Sequence, residues 1–123
     1  MPVSAINVVS ILTELRLKNA RNIPFDPGSG DDEYLIAMNE RVLPRLDEFK
    51  PQLLMTSAGF DGHREDPLAN ITISDEGFGQ ITQKLVQASN MHCGGKIVSV
   101  LEGGYNLNAL GRSVVRHLIA MKD

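Results

Sequence analysis

The residues best equipped for chemistry lie in one stretch, Ser57-Ala58-Gly59-Phe60-Asp61-Gly62-His63-Arg64-Glu65-Asp66-Pro67-Leu68. The apolar run Leu53-Leu54-Met55-Thr56 leads directly into it. A buried strand that ends in acids is how an α/β protein presents a metal-binding or catalytic carboxylate. A second apolar run, Ile97-Val98-Ser99-Val100-Leu101, ends in Glu102-Gly103-Gly104-Tyr105-Asn106. Asp61 could ligate a cation. The Tyr105 phenol, if held in a dry pocket, could donate to a developing oxyanion, and the glycines before it let backbone approach a ligand closely. Each feature also has a plainer reading. A strand-end aspartate often caps a loop, and a glycine pair before an aromatic is often a tight turn followed by a packing residue.

Other groups carry weaker signals. Side chains two apart on extended backbone share a face. Asp61 and His63 could therefore meet one ion, with Glu65 and Asp66 completing a self-contained site; a solvated charged loop is the competing reading. Gly28-Ser29-Gly30 ahead of a helix resembles a phosphate cradle. However, Asp26, Asp31, Asp32 and Glu33 would repel an anion there, and no lysine follows as a P-loop requires. A structural turn is expected instead. His92-Cys93 has no partner cysteine and reads as a helix terminus. His117, beside Arg116, suits the negative end of a final helix dipole.

Two strands separated by a helix must position Asp61 and Tyr105. Val3 to Leu17 carries apolar residues at helical spacing and predicts an amphipathic helix, although its β-branched content leaves a strand open. Asn22-Ile23-Pro24-Phe25 is extended, and 26–30 forms a turn. A helix starts near Asp31, where acids suit the positive dipole end. Its stripe includes Tyr34, Leu35, Met38, Val42, Leu46 and Phe49, and Pro44 imposes a kink or opens a second short helix. Residues 52–57 form the first strand and 96–101 the second. Between them, Ile71-Thr72-Ile73 is extended, Ser74 caps a helix, and Cys93-Gly94-Gly95 ends it. A last helix from about Asn108 is expected to bury Leu110, Val114, Val115, Leu118 and Ile119. Strands joined through a helix pair in parallel.

The chain has 123 residues, 42% hydrophobic content and a formal net charge of -3. That is enough for one domain with a core, and the charge argues against binding nucleic acid through a basic patch. One cysteine, Cys93, excludes an internal disulfide and fits a reducing, cytoplasmic setting. No apolar run is long enough to span a bilayer, and no membrane partner is expected.

Four separated segments, in order, resemble the histone deacetylase superfamily, including its acetoin-utilisation and acetylpolyamine amidohydrolase branches. They are Asn22-Ile23-Pro24; Pro27-Gly28-Ser29-Gly30-Asp31 with Tyr34; Ser57 to His63 with Asp66-Pro67-Leu68; and Leu101-Glu102-Gly103-Gly104-Tyr105-Asn106-Leu107. Phe60 before Asp61 and Glu102 before the glycine pair resemble the bacterial and class II members most. The resemblance implies an α/β, arginase/deacetylase-like three-layer fold with a parallel sheet flanked by helices and a zinc ion at the strand ends. It also implies hydrolysis of acetyl-lysine or an acetylated polyamine. Asp61 matches a zinc ligand and Tyr105 the phenol that polarises the amide carbonyl. Pro67 and Leu68 match the wall of the acyl-lysine channel, and Gly103 and Gly104 its floor.

The family's other two zinc ligands, in an Asp-x-His segment, and its paired-histidine general base lie upstream of the region that matches. Residues 1–21 hold no histidine. The expectation is a C-terminal part of a deacetylase domain over 22–123 behind an unplaced segment, 1–21. Such a truncated piece should be inactive alone. The alternative is a non-catalytic βα module that associates with a missing N-terminal half or with itself.

Overall fold

The computed structural model describes the backbone of residues 6–8, 21–68 and 70–122 and the side chains of 22–68 and 70–122. Strand β1, Ile6–Val8, pairs in parallel with β2, Arg21–Ile23. This corrects the helix expected across that region, since the β-branched Ile6 and Val8 suit a pleated strand better than a helical turn. The rest of the expected N-terminal helix lies outside the described residues.

Helix α1 spans Asp31–Ala37. The Gly30 N–H donates to Glu33 Oε2 at 2.9 Å, so a side chain of this chain occupies the helix start. Those backbone donors hold the Glu33 carboxyl below its ordinary value. The Gly28-Ser29-Gly30 segment is thus a structural turn. Ser29 donates from both its N–H and its hydroxyl to the Asp26 carbonyl, and Gly28 donates to the Asn70 carbonyl. A π-helical turn, Met38–Val42, follows, and α2 covers Leu43–Phe49 with Pro44 in its first turn. Proline lacks an N–H and crowds the preceding carbonyls. Of the two outcomes expected at Pro44, the structure takes the second short helix, with the π-helical turn directly ahead of it.

Strand β3, Leu54–Ala58, pairs in parallel with β4, Ile97–Leu101, from Leu54 opposite Ile97 to Ala58 opposite Leu101. Between them runs α3, Asp75–Cys93. The Ser74 hydroxyl accepts the Gly77 N–H at 3.0 Å, and Gly94 ends the helix at φ 63. Helix α4, Leu107–Lys122, closes the described chain. The described strands form two separate parallel pairs, and α3 packs on α1, α2 and α4.

Two apolar clusters meet at Phe25 and Ile81. One gathers Ile23, Met38, Val42 and Leu46, and the other Phe60, Ile71, Ile73 and Phe78. The expected face of α4 needs correction. Ala109, Ser113, His117 and Ala120 are buried, Leu110 and Val114 pack only partly, and Val115, Leu118 and Ile119 are exposed. Small residues let α4 approach α3 closely, so its largest apolar side chains point away. No described helix is long and apolar enough to cross a membrane.

Candidate functional site

The ladder between β3 and β4 continues past both strand ends. Glu102 N–H donates to the Ala58 carbonyl at 2.8 Å, and Phe60 N–H to the Gly103 carbonyl at 2.7 Å. Residues 59–61 therefore lie directly against 102–104. Asp61 is presented between two buried anchors. Phe60 meets the Phe78 ring edge-on at 5.0 Å and the His117 ring at 5.6 Å. His63 is wholly buried. Gly62 passes under Ile71 and Ile73, where a Cβ would sit 3.4 Å from each.

The Asp61 carboxylate lies against Gly103 and Gly59. A Cβ on Gly103 would lie 3.3 Å from its carboxyl carbon, and one on Gly59 would lie 3.2 Å from Oδ1. No hydrogen bond or ion pair from a described residue engages this carboxylate. It is half-buried and faces a cavity of about 550 Å³ shared with Tyr34, Gly103 and Tyr105. Burial first, and then the Asp61 charge, push the Tyr34 phenol up to about 12. The Phe25 ring stacks on Tyr34 at 3.8 Å and 5°.

Asp61, Gly103 and Tyr105 thus share one cavity, whereas Pro67, Leu68 and Gly104 lie outside its lining. Pro67 and Leu68 are exposed, and Tyr105 is 56% exposed. Gly104 has φ 146, and a Cβ there would come within 2.7 Å of Leu110 Cδ1, so the turn before Tyr105 needs a glycine.

His63 is not a partner of Asp61. The Glu65 N–H donates to its Nδ1 at 3.0 Å, which leaves the ring proton on Nε2, and Nε2 donates to Asp75 Oδ1 at 2.6 Å. His63, Glu65 and Asp75 bring ligand-type atoms within 4.8 Å of one another. Both imidazole nitrogens are already used, and the Arg112 guanidinium bridges Glu65 and Asp75. A cation already fills that position, and it belongs to the protein. Burial alone would raise the Asp75 carboxyl, but hydrogen bonds from His63 and Arg112 outweigh it and hold it below its ordinary value.

The other histidines are likewise engaged. His92 pairs with Asp47 at 2.8 Å. His117, expected at a helix end as a charge, is instead buried beneath the cavity. The Thr82 hydroxyl donates to the Phe78 carbonyl, so it accepts from His117 Nδ1 at 2.7 Å; the Ser99 hydroxyl then donates to Nε2 at 2.8 Å. Burial lowers the His117 pKa. Its ring is a neutral strut linking α3, β4 and α4.

Catalytic zinc takes three protein ligands and keeps one position open. Asp61 fits as one ligand, being a carboxylate at a cavity wall with no hydrogen bond or ion pair among the described residues. Among the described residues of that wall, Glu102 is the other carboxylate, and one of its oxygens is already engaged. The Ser57 hydroxyl holds Glu102 at 2.6 Å, and both His117 nitrogens are engaged. The described donor set does not complete a zinc site.

From the sequence, Asp66 belongs to a possible metal cluster and to the Asp66-Pro67-Leu68 motif, with no expected contact to the tyrosine loop. It is 9% exposed, and its two carboxylate oxygens accept the backbone N–H groups of Leu68 and Tyr105. Its identity as an acid in a charged loop gives no hint of that; only the fold brings position 105 to it.

The model of the histone deacetylase domain matches residues 8–121. The type-2 histone deacetylase 1 of Dictyostelium discoideum is 39% identical over 105 residues, which is 85% of this chain and 7% of that protein. A probable deacetylase of Archaeoglobus fulgidus is 40% identical over 86 residues, 70% of this chain and 24% of the relative. The crystal structure of the HDA15 HD domain superposes with a TM-score of 0.77 at 34% identity, covering 85% of this chain and 29% of that one. The chain thus spans less than a third of each of these proteins.

Proposed function

The chain belongs to the histone deacetylase domain family and carries part of that domain, and from this premise we propose that it is the C-terminal portion of a zinc-dependent amidohydrolase acting on acetyl-lysine or acetylated amines. A cytoplasmic setting accords with its single, buried Cys93. Zinc, where bound in this family, polarises an amide carbonyl and activates water. Asp61 would be one of its ligands. Tyr105 would donate to the oxyanion, and Gly103 would keep the floor beneath Asp61 open.

The observation that carries this reading is the Asp61 carboxylate, without a hydrogen bond or ion pair among the described residues, lying on Gly103 in a cavity that Tyr105 also lines. The same site is the ground for expecting inactivity in isolation. Each of the three histidines is hydrogen-bonded to another side chain, including His117 at the same cavity, so none is free to serve as ligand or general base beside Asp61. Tyr105 is open to water, where a donor does least for an oxyanion.

The test has two arms. The purified chain with zinc should release no acetate from an acetyl-lysine peptide. Supplying the N-terminal part of a family deacetylase domain, with its Asp-x-His segment and paired histidines, should restore release, and Tyr105→Phe should abolish it. Turnover by the chain alone would refute the proposed inactivity. Restored turnover insensitive to Tyr105→Phe would refute the role of the phenol.

A second reading, a non-catalytic βα module that associates with a partner, draws on one observation. Met55, Val98, Val100 and Leu101 of the β3–β4 sheet are all exposed. The occupant consistent with the family is the remainder of such a domain.

A further inference from the structure

We propose that Asp66 is the positioning residue of this site: its buried carboxylate fixes the backbone of Tyr105 and of Leu68 together, and so sets the phenol relative to the Asp61 loop. The inference rests on the reading of Tyr105 as the oxyanion donor.

Asp66 Oδ2 accepts the Tyr105 N–H at 2.8 Å, and Oδ1 accepts the Leu68 N–H at 2.9 Å. The Asp66 N–H donates to the His63 carbonyl at 2.9 Å, which ties the carboxylate to the most deeply buried point of the acidic loop. The bond to Tyr105 is the first anchor after Gly103 and Gly104, the most freely rotating pair in that loop. A second contact runs the opposite way. The Asn106 amide donates to the Glu65 carbonyl at 3.2 Å, while its Oδ1 accepts the Ala109 N–H at 3.0 Å and caps α4. The acidic loop and the tyrosine loop are thereby clamped at adjacent positions, with α4 as the rigid backing.

A loop-stabilising aspartate would need only the local bond to Leu68, two residues on. The second oxygen reaches across 39 positions to the catalytic candidate itself. Both oxygens face N–H donors, which a carboxylate satisfies and an amide cannot, since an amide offers one acceptor and one donor group.

The chain has two tyrosines, so uniform 3-fluorotyrosine labelling yields one fluorine resonance for Tyr105 and one for Tyr34, the latter fixed by its stack on Phe25. Asp66→Ala should shift and broaden the Tyr105 resonance and leave that of Tyr34 unchanged. It should also speed amide hydrogen exchange at Tyr105 by about tenfold or more, the scale of one lost hydrogen bond. A Tyr105 resonance and amide indifferent to Asp66→Ala would overturn the proposal. Where that variant does not fold, the wild-type chain decides: exchange at Tyr105 as fast as in an unstructured peptide overturns the proposal, and protection of about tenfold or more supports it. The complemented acetate-release assay separates this result from the underlying reading. There Asp66→Ala should lower kcat with KM little changed. If Tyr105→Phe leaves turnover intact, the catalytic reading fails while the fluorine result stands.

Discussion

Tyr34 and His117 border the same cavity, and burial favours the neutral form of each. For Tyr34 the folded pKa is about 12 against an ordinary value of 10.0. Above pH 10 the unfolded chain therefore loses this proton first, and stability should fall as pH rises from there toward 12. In an ultraviolet titration, one of the two phenols should ionise late. Asp61→Asn should bring it down only part of the way, because desolvation is the larger cause and the Asp61 charge the smaller. A Tyr34 that titrates normally in the wild type would contradict the packing of Phe25 on its ring. His117 works from the other side. Its folded pKa lies below 6.5, so the unfolded chain takes up the proton first. Stability should decline as pH drops through 6.5 and level off below the folded value. His117→Gln should flatten that decline in thermal melts. An unchanged slope would mean that the ring is not the neutral strut its two hydroxyl partners indicate.

At the scale of elements, the N-termini of α1 and α3 meet at Asp31. Its carboxylate accepts the Ser74 N–H at 2.8 Å and the Ser74 hydroxyl at 2.5 Å, while that hydroxyl in turn caps α3 through Gly77. A Cβ on Gly77 would overlap the Asp31 carboxylate and sit 2.9 Å from Ile73 Cγ2. Gly77→Ala would ordinarily favour a helix, yet here it should destabilise by roughly 1–3 kcal/mol, as overpacking does. A chemical-denaturation midpoint at or above wild type would refute this. Much at this scale was legible in the sequence because the signals are local. The Ser74 cap, the Gly94 stop, Pro44 in a first turn and the two apolar strands all depend on residues within a turn of one another. The misreadings share one cause. Burial on α4 falls on Ala109, Ser113 and His117, which a search for large apolar residues passes over: the first two are small, and His117 is held by hydrogen bonds to Thr82 and Ser99. Likewise Asp61 and Tyr105 announced themselves through strand ends, whereas Asp66 is defined by a partner 39 positions away that only the parallel pairing of β3 and β4 delivers.

For the whole molecule, the alternation along β3 and β4 separates two faces. Leu54, Thr56, Ala58, Ile97 and Ser99 are partly covered, whereas Met55 opposite Val98, and Val100 beside them, are exposed. On α4, Val115, Leu118 and Ile119 are exposed as well. An antiparallel sheet often leaves one face to water, but parallel sheets are ordinarily buried on both. The exposed face here is apolar rather than polar, so it has the composition of an interior. The relatives supply a reason, since this chain spans 29% of the HDA15 HD domain with which it superposes. The face should therefore bind a solvatochromic hydrophobic dye such as ANS. Val98→Lys and Val100→Lys should each reduce the dye signal while leaving thermal stability within about 0.5 kcal/mol of wild type, the range for surface substitutions. Each should also weaken complementation by the N-terminal part of a deacetylase domain. A pair of lysines that left dye binding unchanged but unfolded the chain would show that this face is already covered, and the incompleteness attributed to the sheet would then have to lie elsewhere.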